Sequence, residues 1–205
     1  GPAVRYRMAA LAQIGQEVFV HPTAEVEEGA TVGRGTRIWR DVQVRQGAVI
    51  GEDCILGKGT YVDVEVTIGN RCKLENGVQA FRGAVVADGV FLGPGALLLN
   101  DKNPRAVNAD GTVKSADDWH VSGVQVGTGA SIGGGAVLLT GVRSGRFAMV
   151  GSGAVVTRDV PDQAMEAGNP ARLRGEIGVC VAPLREAPRW GMDTCGSRQR
   201  EAGAG

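Results

Sequence analysis

Residues 25–68 read EVEEGATVGRGTRIWRDVQVRQGAVIGEDCILGKGTYVDVEVTI, and an aliphatic residue returns in this stretch at every sixth position. The same frame extends beyond the stretch in both directions. Fourteen consecutive positions of the frame are aliphatic: Val20, Val26, Val32, Ile38, Val44, Ile50, Leu56, Val62, Ile68, Leu74, Ala80, Val86, Leu92 and Leu98. Chance would produce such a run with a probability of about 10⁻⁵, so the period of six is a property of the fold.

The rest of each hexad explains how the chain turns. Counted from the aliphatic residue, the fifth position of each hexad is small or β-branched, as at Ala30, Thr36 and Cys54, and glycine recurs at the second and fourth. Short strands joined by tight turns produce this pattern, with glycine supplying positive φ angles. Three such strands make a triangular coil of 18 residues, stacked on its neighbours by parallel pairing. The narrow interior agrees with 33 glycines and only 4% aromatic residues.

The frame breaks once and then resumes. It stops at Leu98 and restarts out of phase with that first run. The residues of the second run are Val126, Ile132, Leu138, Ser144, Val150 and Val156. The polar stretch between them is a predicted inserted loop, and a loop of this length inside a regular solenoid is usually functional. We therefore predict an N-terminal cap over 1–19, an all-β helical domain over 20–161 with an inserted loop at 99–123, and a C-terminal tail over 162–205.

Composition excludes several classes of function. The 22 basic and 22 acidic residues balance, so no global field attracts nucleic acid or an anionic membrane. No apolar run approaches the roughly 20 residues of a membrane helix, and Gly1-Pro2 is typical of an expression scar. The four cysteines, Cys54, Cys72, Cys180 and Cys195, lack the spacing of a disulfide scaffold. We expect reduced thiols and a cytoplasmic location.

In addition to the hexad spacing, three motifs are informative. They are Asn100-Asp101-Lys102-Asn103-Pro104-Arg105, residues 151–161 (GSGAVVTRDVP), and Ala167-Gly168-Asn169-Pro170-Ala171-Arg172. With the hexads, they resemble the hexapeptide-repeat acyltransferases, and within them the bacterial nucleotide-sugar N-acetyltransferases. The resemblance runs from about residue 20 to 180. It implies a left-handed parallel β-helix, a homotrimer, and acetyl transfer from acetyl-CoA to the amino group of a nucleotide-linked sugar.

The resemblance also implies a site for acetyl-CoA beside the late coils. Small side chains there let pantetheine approach the backbone, and arginines suit its phosphates. Alternatively, Gly133 and its neighbours only form a corner of the repeat. The expected cofactor-binding residues are Ser131, Gly133, Ala136, Ala148, Ser152, Gly153, Arg158, Asn169, Pro170 and Arg172.

Asn100 is the catalytic residue that the resemblance implies. Its carboxamide would accept a hydrogen bond from the acceptor amine and hold it for attack on the thioester. Asp101 would take up the released proton or orient the loop, and both residues could instead form an Asx turn. His120, beside Trp119, is an alternative general base. His21 is expected to be structural, and two histidines do not suffice for the three-histidine zinc site of γ-type carbonic anhydrases, so no metal is predicted.

The expected contacts to the acceptor are Arg40, Tyr61, Arg82 and Arg105. Uronate-specific relatives carry Trp-His-Phe-x-His and Tyr-Glu-Gly where this chain has residues 39–43 (WRDVQ) and 81–83 (FRG). These changes indicate an acceptor other than a UDP-uronate. The extra arginines, Arg40 and Arg82, could contact a phosphate or a carboxylate of the acceptor, or they could be solvated at the surface. Two other functions stay open: O- or N-acylation of another small molecule, and a non-catalytic structural trimer.

Overall fold

The computed structural model describes residues 11–115, 118 and 120–178, and its regular structure consists of short β-strands. All but the last two strands contain two residues, because each face of the coil is one hexad wide. The strands are β1 (Gln13–Ile14), β2 (Phe19–Val20), β3 (Glu25–Val26), β4 (Thr31–Val32), β5 (Arg37–Ile38), β6 (Gln43–Val44), β7 (Val49–Ile50), β8 (Ile55–Leu56), β9 (Tyr61–Val62), β10 (Thr67–Ile68), β11 (Lys73–Leu74), β12 (Gln79–Ala80), β13 (Val85–Val86), β14 (Phe91–Leu92), β15 (Leu97–Leu98), β16 (Gln125–Val126), β17 (Ser131–Ile132), β18 (Val137–Leu138), β19 (Arg143–Ser144), β20 (Met149–Val150), β21 (Val155–Val156), β22 (Ala164–Ala167) and β23 (Arg172–Glu176).

These strands form three parallel sheets, each built from every third strand. We name the sheets by their first strands: the first face starts at β1, the second at β2 and the third at β3. Within a face the register advances by one coil of 18 residues, as in the pairing of Thr31 with Val49 and of Thr67 with Val85. The predicted all-β, parallel β-helix of hexapeptide repeats is therefore confirmed. We number its seven complete coils from β1–β3 (coil 1) to β19–β21 (coil 7).

The core is a column of aliphatic and small side chains. The aliphatic position of each hexad and the small position before each strand point inward, and both are almost fully buried from coil 2 onward. Cys54 and Cys72 stack on adjacent coils, with the backbone N–H of Cys72 3.4 Å from the Sγ of Cys54. Both thiols are free and buried. Their stacking confirms the 18-residue coil, whereas Cys180 and Cys195 lie outside the described residues.

The ends of the β-helix differ from the predicted boundaries. The first coil begins before Val20, because Gln13–Ile14 already pairs with Thr31–Val32. At the other end, β22 continues the second face beyond residue 161 by pairing in parallel with β20, and β23 returns antiparallel to it. The chain thus closes its last coil with a hairpin. Two polar side chains, Ser144 and Glu166, are buried inside this final turn.

The inserted loop leaves the β-helix after β15, which ends at Leu98, and the chain returns at β16, which begins at Gln125. The loop occupies the corner between the third and first faces, and the coils resume in register because Val85 pairs with Gln125 across it. Within the described residues, no helix is long and apolar enough to cross a lipid bilayer.

Candidate functional site

The loop corner is the edge between the third and first faces, and it carries the residues with the expected catalytic roles. Asn100 is half-buried directly after β15. Its carbonyl oxygen accepts a hydrogen bond of 3.3 Å from the backbone N–H of Ser122, which joins the two ends of the loop. The hydroxyl of Thr140, one coil later, donates to the carbonyl oxygen of Ser122. Asn100 therefore stands at a fixed loop neck.

The other expected residues of the loop are arranged less favourably for chemistry. The Oδ1 of Asp101 accepts the backbone N–H of Asn103 at 2.8 Å, which is the Asx turn considered as an alternative role for this carboxylate. Arg105 and His120 are exposed to solvent, and Trp119 lies outside the described residues. The geometry therefore gives Asp101 a structural contact and leaves the histidine at the surface.

Carboxylates also shape the rest of the loop. Asp110 accepts from the hydroxyl and the backbone N–H of Thr112, and Asp118 accepts from those of Ser115. These hydrogen bonds stabilise the ionised carboxylates, so they lower the pKa of Asp110 and of Asp118. An antiparallel bridge between Val107 and Val113 closes the tip. The loop thus has a defined structure of its own.

A polar network lies on the same corner below the loop. A guanidinium nitrogen of Arg45 donates to the Tyr61 hydroxyl at 3.0 Å, and that hydroxyl donates to Asp63 at 2.9 Å. The other carboxylate oxygen of Asp63 accepts the backbone N–H of Arg82. Burial raises the pKa of the Tyr61 phenol, and the hydrogen bond to Asp63 adds to this effect. The structure therefore brings together Tyr61 and Arg82, two of the predicted acceptor contacts.

Two members of this network, Arg45 and Asp63, were missed in the sequence. They lie one coil apart at the same corner position, and the 18-residue period alone could have placed them together. The two arginines of the network, Arg45 and Arg82, are already paired with carboxylates. Arg45 forms an ion pair with Glu27, and Arg82 forms one of 2.8 Å with Glu65. These guanidinium groups would have to exchange a carboxylate for any anionic ligand.

The glycine corner is the edge between the second and third faces, and it carries most of the expected cofactor residues. Three glycine-rich turns stack there, at 93–95, 133–135 and 151–153. A Cβ atom on Gly133 would collide with the backbone nitrogen of Ser152, and one on Gly93 would collide with that of Gly134. The absence of side chains lets the turns stack closely and exposes backbone along the edge. The turn holding Asn169 and Pro170 caps the stack, since the Gly168 carbonyl accepts the Val155 N–H at 3.0 Å.

The structure separates the expected cofactor residues into three groups. Gly133, Ser152, Gly153, Asn169 and Pro170 lie together at the glycine corner, with Ser131 half-buried on the adjoining second face. Arg172 is exposed just beyond them, and its guanidinium donates to the Ala171 carbonyl at 2.8 Å.

The other two groups lie elsewhere. The side chains of Ala136 and Ala148 fill the core, because the small position of the hexad points inward. They can offer a ligand only their backbone. Arg158 lies at the loop corner, on the turn between β21 and the Ser144–Val160 bridge.

The two corners are the edges of the same face but do not meet. In one chain, Asn100 and the stacked glycine turns are separated by the full width of the third face. A small ligand at one corner therefore cannot contact the other corner of the same chain. Within the described part of the chain, no three His, Cys, Asp or Glu side chains are grouped to hold a metal ion.

Comparison with known proteins agrees with this architecture. Residues 29–64 match the family model described as bacterial transferase hexapeptide (six repeats), which confirms the resemblance to hexapeptide-repeat proteins for that stretch. A curated relative from Aneurinibacillus thermoaerophilus, dTDP-3-amino-3,6-dideoxy-alpha-D-galactopyranose 3-N-acetyltransferase, is 36% identical over 74 residues, which are 36% of this chain and 38% of that protein. This match confirms the resemblance to nucleotide-sugar N-acetyltransferases.

Two further proteins are similar. Acyl-[acyl-carrier-protein]–UDP-N-acetylglucosamine O-acyltransferase from Brucella ovis is 46% identical over 41 residues, or 20% of this chain and 15% of that protein. The alignments with both curated relatives thus span well under half of their lengths. Among solved structures, a variant of AntD, an N-acyltransferase from Bacillus cereus in complex with dTDP and coenzyme A, shares the fold with a TM-score of 0.52 at 16% identity. It covers 95% of this chain and 93% of AntD.

Proposed function

We propose that this chain transfers the acetyl group of acetyl-CoA to the amino group of a nucleotide-linked sugar. The observation that carries the proposal is the pairing of two features at one level of the β-helix: a loop neck that presents Asn100, and a corner of stacked glycine turns. The curated relative that acts on a dTDP-linked 3-amino sugar supports the choice of reaction.

The two corners suggest a division of labour. At the glycine corner, the backbone of the turns at 133–135 and 151–153 would bind pantetheine, and the exposed Arg172 would contact a phosphate of acetyl-CoA. At the loop corner, the carboxamide of Asn100 would accept a hydrogen bond from the acceptor amine. Most of the rate enhancement would then come from orientation of the two reactants.

The bond changes are those of an acyl transfer. The neutral amine attacks the thioester carbonyl carbon, the C–N bond forms, and the C–S bond breaks to release CoA. The proton lost by nitrogen neutralises the departing thiolate, so the products are an amide and a free thiol. Asp101 keeps its Asx turn in this scheme, and His120 is a second candidate for the proton acceptor because it is accessible to solvent.

We also propose that the active assembly is a homotrimer in the cytoplasm. Because Asn100 and the glycine corner lie on different edges of one chain, a complete site requires the loop corner of one copy beside the glycine corner of another. A ring of three head-to-tail contacts would create three such sites. The free thiols of Cys54 and Cys72 agree with a reducing compartment.

The proposed reaction is tested by measuring thiol release from acetyl-CoA with a panel of UDP-, dTDP- and GDP-linked amino sugars. The matched control is the same panel with a hydroxyl in place of the amine. We expect release with at least one amino sugar and none with its hydroxyl counterpart. If CoA raises the melting temperature but no acceptor releases thiol, the chain does not catalyse this reaction. If CoA also fails to bind, a structural trimer is the better account.

A second function is O-acylation of a nucleotide-linked sugar from an acyl carrier protein. The 41-residue similarity to the Brucella ovis O-acyltransferase favours it as the runner-up. The glycine corner can offer backbone groups to pantetheine whether it is part of CoA or attached to a carrier protein. An assay that supplies each donor in turn therefore separates the two functions. Transfer from an acyl carrier protein to a sugar hydroxyl, without transfer from acetyl-CoA, would select the second function.

A further inference from the structure

A pocket of about 290 Å³ lies at the lower end of the glycine corner, on coils 2–4. Trp39 and Arg40 come from the turn of coil 2, Lys58 from coil 3, and Glu75 and Asn76 from coil 4. Ile55 borders it from the second face. The corner thus carries two successive features, this pocket below and the stacked glycine turns on coils 5–7 above.

The charge of the pocket is positive. Arg40 and Lys58 are exposed, and neither forms an ion pair within residues 11–115, 118 and 120–178. The one carboxylate that lines the pocket, that of Glu75, is paired with Lys73 at 3.0 Å. The lack of an ion pair in the described residues distinguishes Arg40 from Arg82, which is paired with Glu65. The pocket therefore has two unpaired cations available for an anionic group.

An apolar surface adjoins these cations. The side chain of Trp39 is 43% exposed and that of Ile55 is 37% exposed. The Trp39 ring packs against Phe19, with ring centroids 5.4 Å apart and planes at 57°. An exposed aromatic ring beside two cations suits a planar ring that carries phosphate.

The volume limits what the pocket can hold. At about 290 Å³ it lies just below the roughly 300–1,000 Å³ of whole small-molecule sites. It can take a nucleoside and its nearest phosphates, with the rest of the ligand extending along the corner. Coil 5 lies directly above the pocket, and it carries the lowest glycine turn on this edge and Asn100 on the next edge.

We infer that the pocket at Trp39, Arg40 and Lys58 binds the nucleoside diphosphate portion of the acceptor. This inference rests on the proposed function, and it assigns one end of the substrate to one end of the corner. Trp39 would contact the base, while Arg40 and Lys58 would contact the two phosphates. The amino sugar would then extend upward toward coil 5, and acetyl-CoA would extend downward from the late coils to meet it.

The test uses titration calorimetry with UDP, dTDP, GDP and CoA as separate ligands. A double variant, Arg40→Gln with Lys58→Gln, should raise the Kd of the bound nucleoside diphosphate at least tenfold, and Trp39→Ala should raise it about tenfold. Neither should change the Kd of CoA more than twofold. Arg34→Gln is the matched control, because Arg34 is an exposed cation of coil 2 at the corner between the first and second faces, and its ion pair with Glu52 is solvent-exposed.

CoA is the other source of the same chemistry, since it also carries a base and phosphates. If the double variant weakens CoA and leaves the nucleoside diphosphates unchanged, the assignment to the acceptor is overturned. Equal binding by wild type and both variants overturns it as well. Failure to bind any nucleoside diphosphate, in an enzyme that still acetylates a nucleotide-linked amino sugar, overturns this inference and leaves the proposed function standing.

Discussion

The glycine corner and the loop corner bound the same face but are built by opposite means. At the glycine corner the hexad is unbroken through coils 5–7, and each turn stacks so closely that a Cβ on Gly133 would meet the next backbone. At the loop corner the hexad is interrupted, and side chains such as those of Arg45 and Thr140 line the edge. One corner offers backbone and the other offers functional groups. This difference suits the proposed binding of acetyl-CoA at the glycine corner and the proposed catalytic role of the loop corner.

Among the proposed substitutions, that of Asn100 at the loop corner should reduce activity most. Asn100→Ala removes the carboxamide proposed to hold the amine, so kcat should fall by about tenfold or more while the Kd of acetyl-CoA changes little. Steady-state kinetics and CoA titration provide the two values. Asp101→Ala is a neighbouring control for loop structure.

His120→Ala decides between the two catalytic candidates in the same assay. We expect it to keep most of the activity and the pH profile of the wild type. If it instead shows the larger loss, and an ionisation near 6 to 7 disappears from the profile, His120 is the general base. A fully active Asn100→Ala enzyme would remove the proposed role of the loop neck.

Glycine substitutions test whether the glycine corner depends on close backbone contact. Gly135 has a φ of +65° but open space around a Cβ, so Gly135→Ala should destabilise by only about 1–2 kcal/mol. Gly133 has no positive φ, but a Cβ there would collide with the Ser152 backbone, so Gly133→Ala should cost about 3 kcal/mol. Urea unfolding measures both. Equal losses would show that the stacked turns tolerate a side chain.

Arg172 tests the binding side of the comparison with a smaller effect. Arg172→Ala should raise the KM for acetyl-CoA about threefold to tenfold and leave kcat nearly unchanged, because a phosphate contact remote from the thioester acts mainly through binding. Arg143→Ala, an exposed arginine on the first face, is the matched control. An unchanged KM for Arg172→Ala would remove it from the proposed cofactor site.

Acid should affect the coils and the loop separately. Hydrogen bonds from Asn70, above all from its backbone N–H, lower the pKa of Asp88 on coil 5. A lowered folded-state pKa stabilises above the ordinary value of about 3.9, and this stability is lost as the pH falls through the folded-state pKa. The melting temperature should therefore decline less steeply below pH 5 in Asp88→Asn than in wild type. Asp118→Asn, in the loop, should leave that slope unchanged, and a flattened slope there would mean that the loop melts together with the coils.

The repeat could be predicted from the sequence because each coil repeats the same local choice. The period of six placed Ile38, Leu56 and Leu74 in the core, and it placed Cys72 on Cys54. The hairpin that closes the last coil was not foreseen, since β22 and β23 pair without the hexad spacing.

The site was less predictable for a physical reason. Motifs identified the loop neck and the glycine turns, but which residues share an edge depends on counting strands around the coil. Arg40 and Arg82 both looked like acceptor contacts, yet they lie on different corners, and only Arg40 lacks an ion pair in the described structure. Ala136 and Ala148 were assigned by motif to the cofactor, although the hexad turns their side chains inward.

Mixed oligomers test most directly the central claim that the loop corner of one chain works with the glycine corner of another. Ser152→Trp would block the glycine corner from an exposed turn, and Asn100→Ala would disable the loop corner. Each variant alone should be nearly inactive. Co-expressed in equal amounts, they should recover about a quarter of wild-type thiol release, because that share of the interfaces in a ring combines two intact corners. No recovery in mixed oligomers that are shown to form would contradict the account.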